Sequence, residues 1–138
     1  LTQLQPAMAA GNQGKITVIG SNGKTGKLIV NKLATAGVPV QPTYARTPPS
    51  LKVEGTLLEP AVCDVTSVST IESAIKDSSA VIFAASASKK GGNAQAVDYI
   101  GVKNIANECV RLKIPKLVVI SSGAVTRPDS LGFKITNI

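Results

Sequence analysis

Histidine and tryptophan are absent from this 138-residue sequence, which holds only two cysteines, two phenylalanines and two tyrosines. With no imidazole, and with Cys63 and Cys109 far apart and outside any C-x-x-C pair, a zinc centre, histidine-based catalysis and a disulfide framework have nothing to build on. No metal is expected. Each cysteine lies in an apolar stretch and reads as a buried, reduced thiol, which suits a reducing compartment. Long hydrophobic runs are missing too. "AVIFAASA" and "LVVI" have the length of strands, well short of the ~18 residues of a membrane span.

Acid is missing from the first 53 residues, which carry Lys15, Lys24, Lys27, Lys32, Arg46 and Lys52, whereas the rest of the chain is nearly neutral. The whole has a net charge of +7. A positive half attracts a polyanion: a nucleic acid, an anionic membrane surface or a phosphate-rich cofactor. Nucleic acid is disfavoured, because no aromatics are interleaved with the charges and no nucleic-acid motif is visible. Peripheral contact with a membrane stays open.

What is there is a core. Apolar residues make up 43% of the chain and charged residues 17%, enough to fold as one domain around Val, Ile, Leu and Ala. Residues 1–14, "LTQLQPAMAAGNQG", lack periodicity and acids and read as a flexible leader. A transit-peptide cleavage remnant, a tag scar and a disordered tail explain it equally well. Residues 15–138 form the domain.

Its elements alternate. "KITVIG" (15–20) is a β-rich run ending in Gly, and a helix follows over 24–36 with Ile29, Leu33 and Ala36 on one face, stopped by Gly37. "VPVQPTYA" (38–45) is the second strand, although Pro42 argues against an interior position. "TLLEPAVCD" holds the third strand and Val68–Ile75 a short helix. "AVIFAAS" (80–86) is a fourth strand, apolar throughout, as when both faces are buried. Asn93–Leu112 is the longest helix, with a stripe of Val102, Ile105, Cys109 and Leu112, and "KLVVISS" (116–122) is the fifth strand. The expected fold class is α/β, a Rossmann-type doubly wound parallel sheet in the order 3-2-1-4-5. The segments after a fifth strand are expected to be missing from this sequence.

Two phosphate loops overlap in "ITVIGSNGKTGKLIV". A P-loop, G-x-x-x-x-G-K-[ST], would need Gly five residues before Gly23, where Val18 stands. "GSNGKT" is also similar to the shortened loop of the Mur-ligase and folylpolyglutamate synthase family. That family needs acidic Mg²⁺ ligands, and the fourth strand supplies none. The dinucleotide reading uses Gly20 for the tight turn, Gly23 for approach of a pyrophosphate and Gly26 for close helix–strand packing. Asn22 lies within the turn, and the free N–H groups of Lys24 and Thr25, with the helix dipole, face the phosphates.

An NAD site needs a carboxylate about 20 residues further on. Arg46 stands there with no acid nearby. A guanidinium pairs with a ribose 2′-phosphate, and Lys24 can reach the same group, so NADP(H) is expected over NAD.

In "VIGSNGKTGKLIV", "YARTP", "AVCDVTS", "VIFAAS", "AVDYIGVKNIANEC" and "KLVVISSGAVTRPDS", taken in order, the chain resembles the atypical short-chain dehydrogenase/reductases, in their NmrA-like, single-domain NAD(P)-binding branch. The resemblance implies that Asp64 and Val65 contact adenine. It places Ala84, Ala85 and Ser86 along the ribose next to the nicotinamide, and Ser121 and Ser122 beneath the nicotinamide. "SSGAVTRPDS" looks most like plastid-type members, which implies the stroma or thylakoid surface; otherwise the cytoplasm is expected.

Catalytic members use a Tyr-x-x-x-Lys pair after the fifth strand. This chain has Tyr99-x-x-x-Lys103 one crossover too early, where Tyr99 is expected to pack against the sheet, so no catalytic residue is named. Lys89 and Lys90 read as solvated charges and Gly91-Gly92 as a plain loop or a lid. Thr126, Arg127 and Asp129 read as substrate contacts or turn caps. The expected functions are an NADPH-dependent reductase of a small carbonyl or quinone-like acceptor, or a non-catalytic accessory subunit of a larger complex. The apolar strand edge at 117–121 invites cover by further chain or a protein partner.

Overall fold

Five short parallel strands carry the chain. In the computed structural model, residues 14–46, 55–86, 93 and 95–120 are described; residues 1–13 of the leader and residues 121–138 lie outside them. The strands are β1 (Lys15–Ile19), β2 (Val40–Tyr44), β3 (Ala61–Val62), β4 (Ser78–Phe83) and β5 (Leu117–Val119). They lie in the order β3-β2-β1-β4-β5, as expected. Every pairing is parallel, which requires a crossover between successive strands. Helices α1 (Lys24–Thr35), α2 (Val68–Ile75) and α3 (Val102–Arg111) supply three of the crossovers.

The strands alternate their faces. Val18, Val40 and Ile82 meet Val30, Ile29 and Leu33 of α1 on one side. Ile19, Val81 and Phe83 meet Ile71, Ala74 and Ile75 of α2 and Ile105 and Cys109 of α3 on the other. Helices thus cover both faces, and burial of these side chains supplies the main driving force. Phe83, Ile19, Ile71, Ile75 and Ile105 are among the largest fully buried side chains.

Pro42 is fully buried within β2, an interior strand, contrary to the expectation for proline. The register explains it. Val40 directs both backbone groups to the β3 side, its N–H to Thr56 O and its O to Leu58 N–H, and alternate residues of a strand point the same way. The missing N–H of Pro42 therefore faces residues 58–60, between the Val40–Leu57 bridge and the Thr43–Ala61 and Tyr44–Val62 pairs. No ladder bond is lost there.

β4 begins at Ser78, two residues earlier than its apolar run. The two serines find partners: Ser78 Oγ is 2.7 Å from Thr17 Oγ1, and Ser79 Oγ donates to Gly14 O at 2.8 Å. The last long helix is two pieces. Gln95–Gly101 winds as a π-helix, and α3 continues from Val102. The change of winding shifts the inward face, so Val97 and Gly101 point to the core side and Tyr99, midway between them, is 63% exposed. The expected packing of Tyr99 on the sheet does not occur. At the other end of α3, Arg111 makes an ion pair with buried Glu108 at 2.7 Å and another with Glu72 of α2 at 3.1 Å. Its hydrogen bonds hold the Glu108 carboxyl below the usual range despite burial.

Two helices end alike. After α1, Gly37 (φ 78°) donates to Ala34 O and Val38 N–H to Leu33 O, the paired bonds of a Schellman cap. After α3, Lys113 N–H donates to Val110 O and Ile114 N–H to Cys109 O, with Lys113 itself at φ 56°. A residue with a Cβ strains that left-handed geometry. Lys113→Gly is expected to raise unfolding stability by about 1 kcal/mol. Urea denaturation of the variant beside the parent chain checks it, and an unchanged or lower midpoint counts against the strain.

Candidate functional site

The turn from β1 into α1 is packed around its first and third glycines. Gly20 has φ 82°, and a Cβ on it would lie 2.6 Å from Ala85 Cα. A Cβ on Gly26 would lie 2.0 Å from Gly20 O. Neither position has room for a side chain. Gly23 differs: its backbone is extended (φ −72°, ψ 164°), a shape any residue adopts, and a Cβ there would meet only Gly20 O, at 3.5 Å. Neither packing nor backbone shape calls for glycine at 23, the N-cap of α1, a position that glycine shares with serine, threonine, aspartate and asparagine.

Ser21 anchors this turn. Its buried Oγ donates to Val18 O at 2.9 Å and accepts from Thr43 N–H at 3.0 Å, and its own N–H donates to Thr43 O. The loop is stitched to the end of β2. No sequence motif marks Ser21.

At the carboxyl ends of the strands lies an open cavity of about 180 Å³, lined by Ile19, Gly20, Asn22, Gly23, Ala45, Cys63, Asp64, Val65, Ala84, Ala85, Ser86 and Val97. Eight of the residues singled out in the sequence meet here: Gly20, Asn22, Gly23, Asp64, Val65, Ala84, Ala85 and Ser86. Gly26 lies buried beneath Gly20, while Lys24, Thr25 and Arg46 are exposed and outside the lining. Lys24 and Thr25 open α1, and Arg46 follows the lining residue Ala45. Ser121, Ser122, Thr126, Arg127, Asp129, Lys89, Lys90 and Gly91-Gly92 lie outside the described residues.

Ile19, Ala45, Cys63 and Val97 line the cavity without having been singled out. The first three stand at or just past strand ends, which is the signal that finds them. Val97 is placed by the π-helical winding, which periodicity does not show. Burial, with the Asp64 charge beside it, pushes the Cys63 thiol up to about 12; it is a protonated wall and no nucleophile. Asp64 is the opposite. Hydrogen bonds from Thr66, hydroxyl at 2.6 Å and N–H at 2.9 Å to Oδ1, hold its carboxyl below the ordinary range, so it is ionised.

The site lies at the switch point of the sheet. Chain order runs outward from β1 through β2 to β3 and, on the other side, through β4 to β5, and ligands of open α/β sheets bind in the crevice where the direction reverses. α1 starts beside that crevice, with its N-cap Gly23 among the lining residues, and the positive end of a helix dipole favours an anion. Among the described residues no cluster of acids and cysteines is suited to a metal, and no helix is long and apolar enough to cross a membrane.

Comparison with known proteins gives one family and a fold. The NAD(P)H-binding family matches residues 20–137. A uronate dehydrogenase mutant from Agrobacterium tumefaciens complexed with NAD is 17% identical with a TM-score of 0.66, over 79% of this chain and 41% of that one. The Bordetella bronchiseptica enzyme WbmH in complex with NAD⁺ is 17% identical with a TM-score of 0.70, over 86% of this chain and 42% of that one. The oxidoreductase ylbE from Lactococcus lactis is 18% identical with a TM-score of 0.70, over 89% and 56%. Identities this low show the shared Rossmann-like fold alone, and the chain spans about half the length of these structures or less. No curated protein matches.

Gly23 and Gly26 are expected to separate on substitution. Gly26→Ala drives a methyl into a backbone carbonyl and should cost several kcal/mol, on the order of the larger values seen for overpacking. Gly23→Ser should leave stability unchanged or slightly raised, since serine caps a helix at least as well as glycine. Thermal unfolding of both variants checks this, and equal losses would remove the distinction between packing glycine and ligand glycine.

Proposed function

This chain belongs to the NAD(P)H-binding family, and we propose that its glycine groove takes NADP(H) in preference to NAD. The observation that carries the reading is the unfilled space at Gly23, on a helix start that faces the cavity. The dinucleotide's pyrophosphate lies over Gly23 and the first N–H groups of α1. The adenosine half extends towards β2 and β3, where the ionised Asp64 accepts a hydrogen bond from the adenine amino group. The nicotinamide half extends over Ala84–Ser86 towards β5. Cofactor preference follows from charge. Ala45 and Arg46 follow β2 with no carboxylate to receive a ribose 2′-hydroxyl, and the exposed guanidinium of Arg46 and ammonium of Lys24 suit a 2′-phosphate. When bound, the cofactor supplies a hydride; the residues described here bind and orient it and keep water from one wall.

Tyr99 is exposed and does not line the cavity, so no proton transfer is assigned to it. The reductase reading accordingly looks to residues after β5 for its acid, and the accessory-subunit reading uses the bound dinucleotide as a structural element. NADPH and NADH titrations of the parent chain and Arg46→Ala test the preference. NADPH should bind more tightly, and the variant should lose about 2 kcal/mol, roughly 30-fold in Kd, for NADPH alone. Equal affinities, unchanged in the variant, overturn it.

One further observation bears on partners. β5 is the last strand on its side among the described residues, and Val118, Val119 and Ile120 are 42%, 40% and 47% exposed. An apolar edge of this kind is covered in a working protein, by a later stretch of the same polypeptide or by another subunit. Size-exclusion of the 138-residue chain with intact-mass measurement should show self-association; a soluble monomer at high concentration counts against cover by another subunit.

A further inference from the structure

The adenine side of the groove rests on an unusually weak piece of sheet. β3 has only two residues, at the edge of the sheet, and its last backbone bond to β2 is Cys63 N–H to Tyr44 O at 2.8 Å. The two wall residues that follow, Asp64 and Val65, have passed beyond the strand. Local bonds fix Asp64: its N–H donates to Thr70 Oγ1 at 3.0 Å and its carboxylate accepts from Thr66. Val65 is held from elsewhere. Asn104 of α3, 39 positions further along, donates from Nδ2 to Val65 O at 2.9 Å. One turn before it, Gly101 lets the helix come so near that a Cβ there would stand 2.6 Å from Val65 Cγ2. One turn earlier again, Val97 lines the cavity itself. The helix thus touches the groove wall through three successive turns, at Val97, Gly101 and Asn104.

We propose that Asn104 is a positioning residue for the adenine half of the dinucleotide. It touches no cofactor atom; by holding the Val65 carbonyl it sets the distance between the 63–65 wall and the glycine turn, and Gly101 sets how far the helix can advance while doing so. The inference rests on the dinucleotide reading of the groove. Its consequence is selective: loosening Asn104 should disturb the adenosine side and leave the nicotinamide side, built on Ala84–Ser86, as it was.

The test uses half-ligands on the 138-residue chain: 2′,5′-ADP for the adenosine half and nicotinamide mononucleotide for the other, with NADPH as the whole. In Asn104→Ala the Kd for 2′,5′-ADP should rise on the order of 10-fold, the scale of one lost hydrogen bond, and NADPH should weaken in parallel. Nicotinamide mononucleotide, followed by ligand-observed NMR, should bind as before. Gly101→Ala, which pushes Val65 into the groove, should give the same pattern from a different residue. Should the variants fail to fold, the parent chain still decides: the Asn104 side-chain amide resonances should shift on adding 2′,5′-ADP and stay in place on adding nicotinamide mononucleotide. Equal weakening of both half-ligands, or none in either, overturns the positioning role. A parent chain that binds neither 2′,5′-ADP nor NADPH overturns the dinucleotide reading with it, a different and recognisable result.

Discussion

Gly20 O occupies the point where a side chain on residue 26 would have to sit, at 2.0 Å from the ideal Cβ, and a side chain on Gly20 would run into the backbone of Ala85. Those two contacts lock three elements together: the end of β1, the first turns of α1 and the segment leaving β4. Everything at the carboxyl end of the sheet is placed from there. α1 can lay Ile29, Val30 and Leu33 on Val18 and Val40 only because its first turns approach β1 without a Cβ in the way. The cavity opens between β1 and β4 because Ala85 is held against Gly20 while the chain continues along the groove. A dense backbone junction of this kind is ordered before anything binds, with Ser21 N–H already bonded to Thr43 O and Gly23 N–H to Gly20 O, so little conformational freedom is left to lose on binding.

The architecture was legible in the sequence because it rests on features of short range. A Gly-terminated β run, a 3.6-residue stripe, a Gly stop and an all-apolar strand each announce themselves within a few residues, and parallel pairing follows from the helices between them. The order β3-β2-β1-β4-β5 was expected on that ground. What stayed hidden depends on partners far along the chain. Ser78 and Ser79 look unlike strand residues until Thr17 and Gly14 are seen to satisfy their hydroxyls. Pro42 looks unfit for an interior strand until the interruption of β3 beside it is known. The π-helical winding of 95–101 has no local signature, and it moved Tyr99 outward and Val97 into the groove.

The candidate site divides in the same way. Glycines and strand-end residues carry positional information in sequence, so Gly20, Gly23, Asp64 and Ala85 could be set on one edge in advance. Charged groups at that edge could be named but not placed: Lys24 and Arg46 are exposed beside the lining rather than in it. Ser21 and Asn104 could not be named, because each acts on a backbone group that only the fold brings near. Yet these two do comparable work on opposite sides of β2 and β3, Ser21 tying the glycine turn to Thr43 and Asn104 tying Val65 to α3.

Rigidity is therefore distributed unevenly around the groove. Its floor, at Gly20 and Ala85, is backbone against backbone and cannot give without unfolding. Its β4 side pairs along its length with β1 and at its far end with β5. Its β3 side hangs on a two-residue strand, a pair of threonine bonds to Asp64 and one asparagine from a distant helix. Affinity for a long ligand depends on all of these surfaces being in place at once, because each misplaced wall forfeits its own contacts and adds an ordering cost. The weakest wall has the most to lose. In this fold that wall belongs to β3, so the residues that brace it from α3 govern how well the groove is preorganised for whatever lies along it.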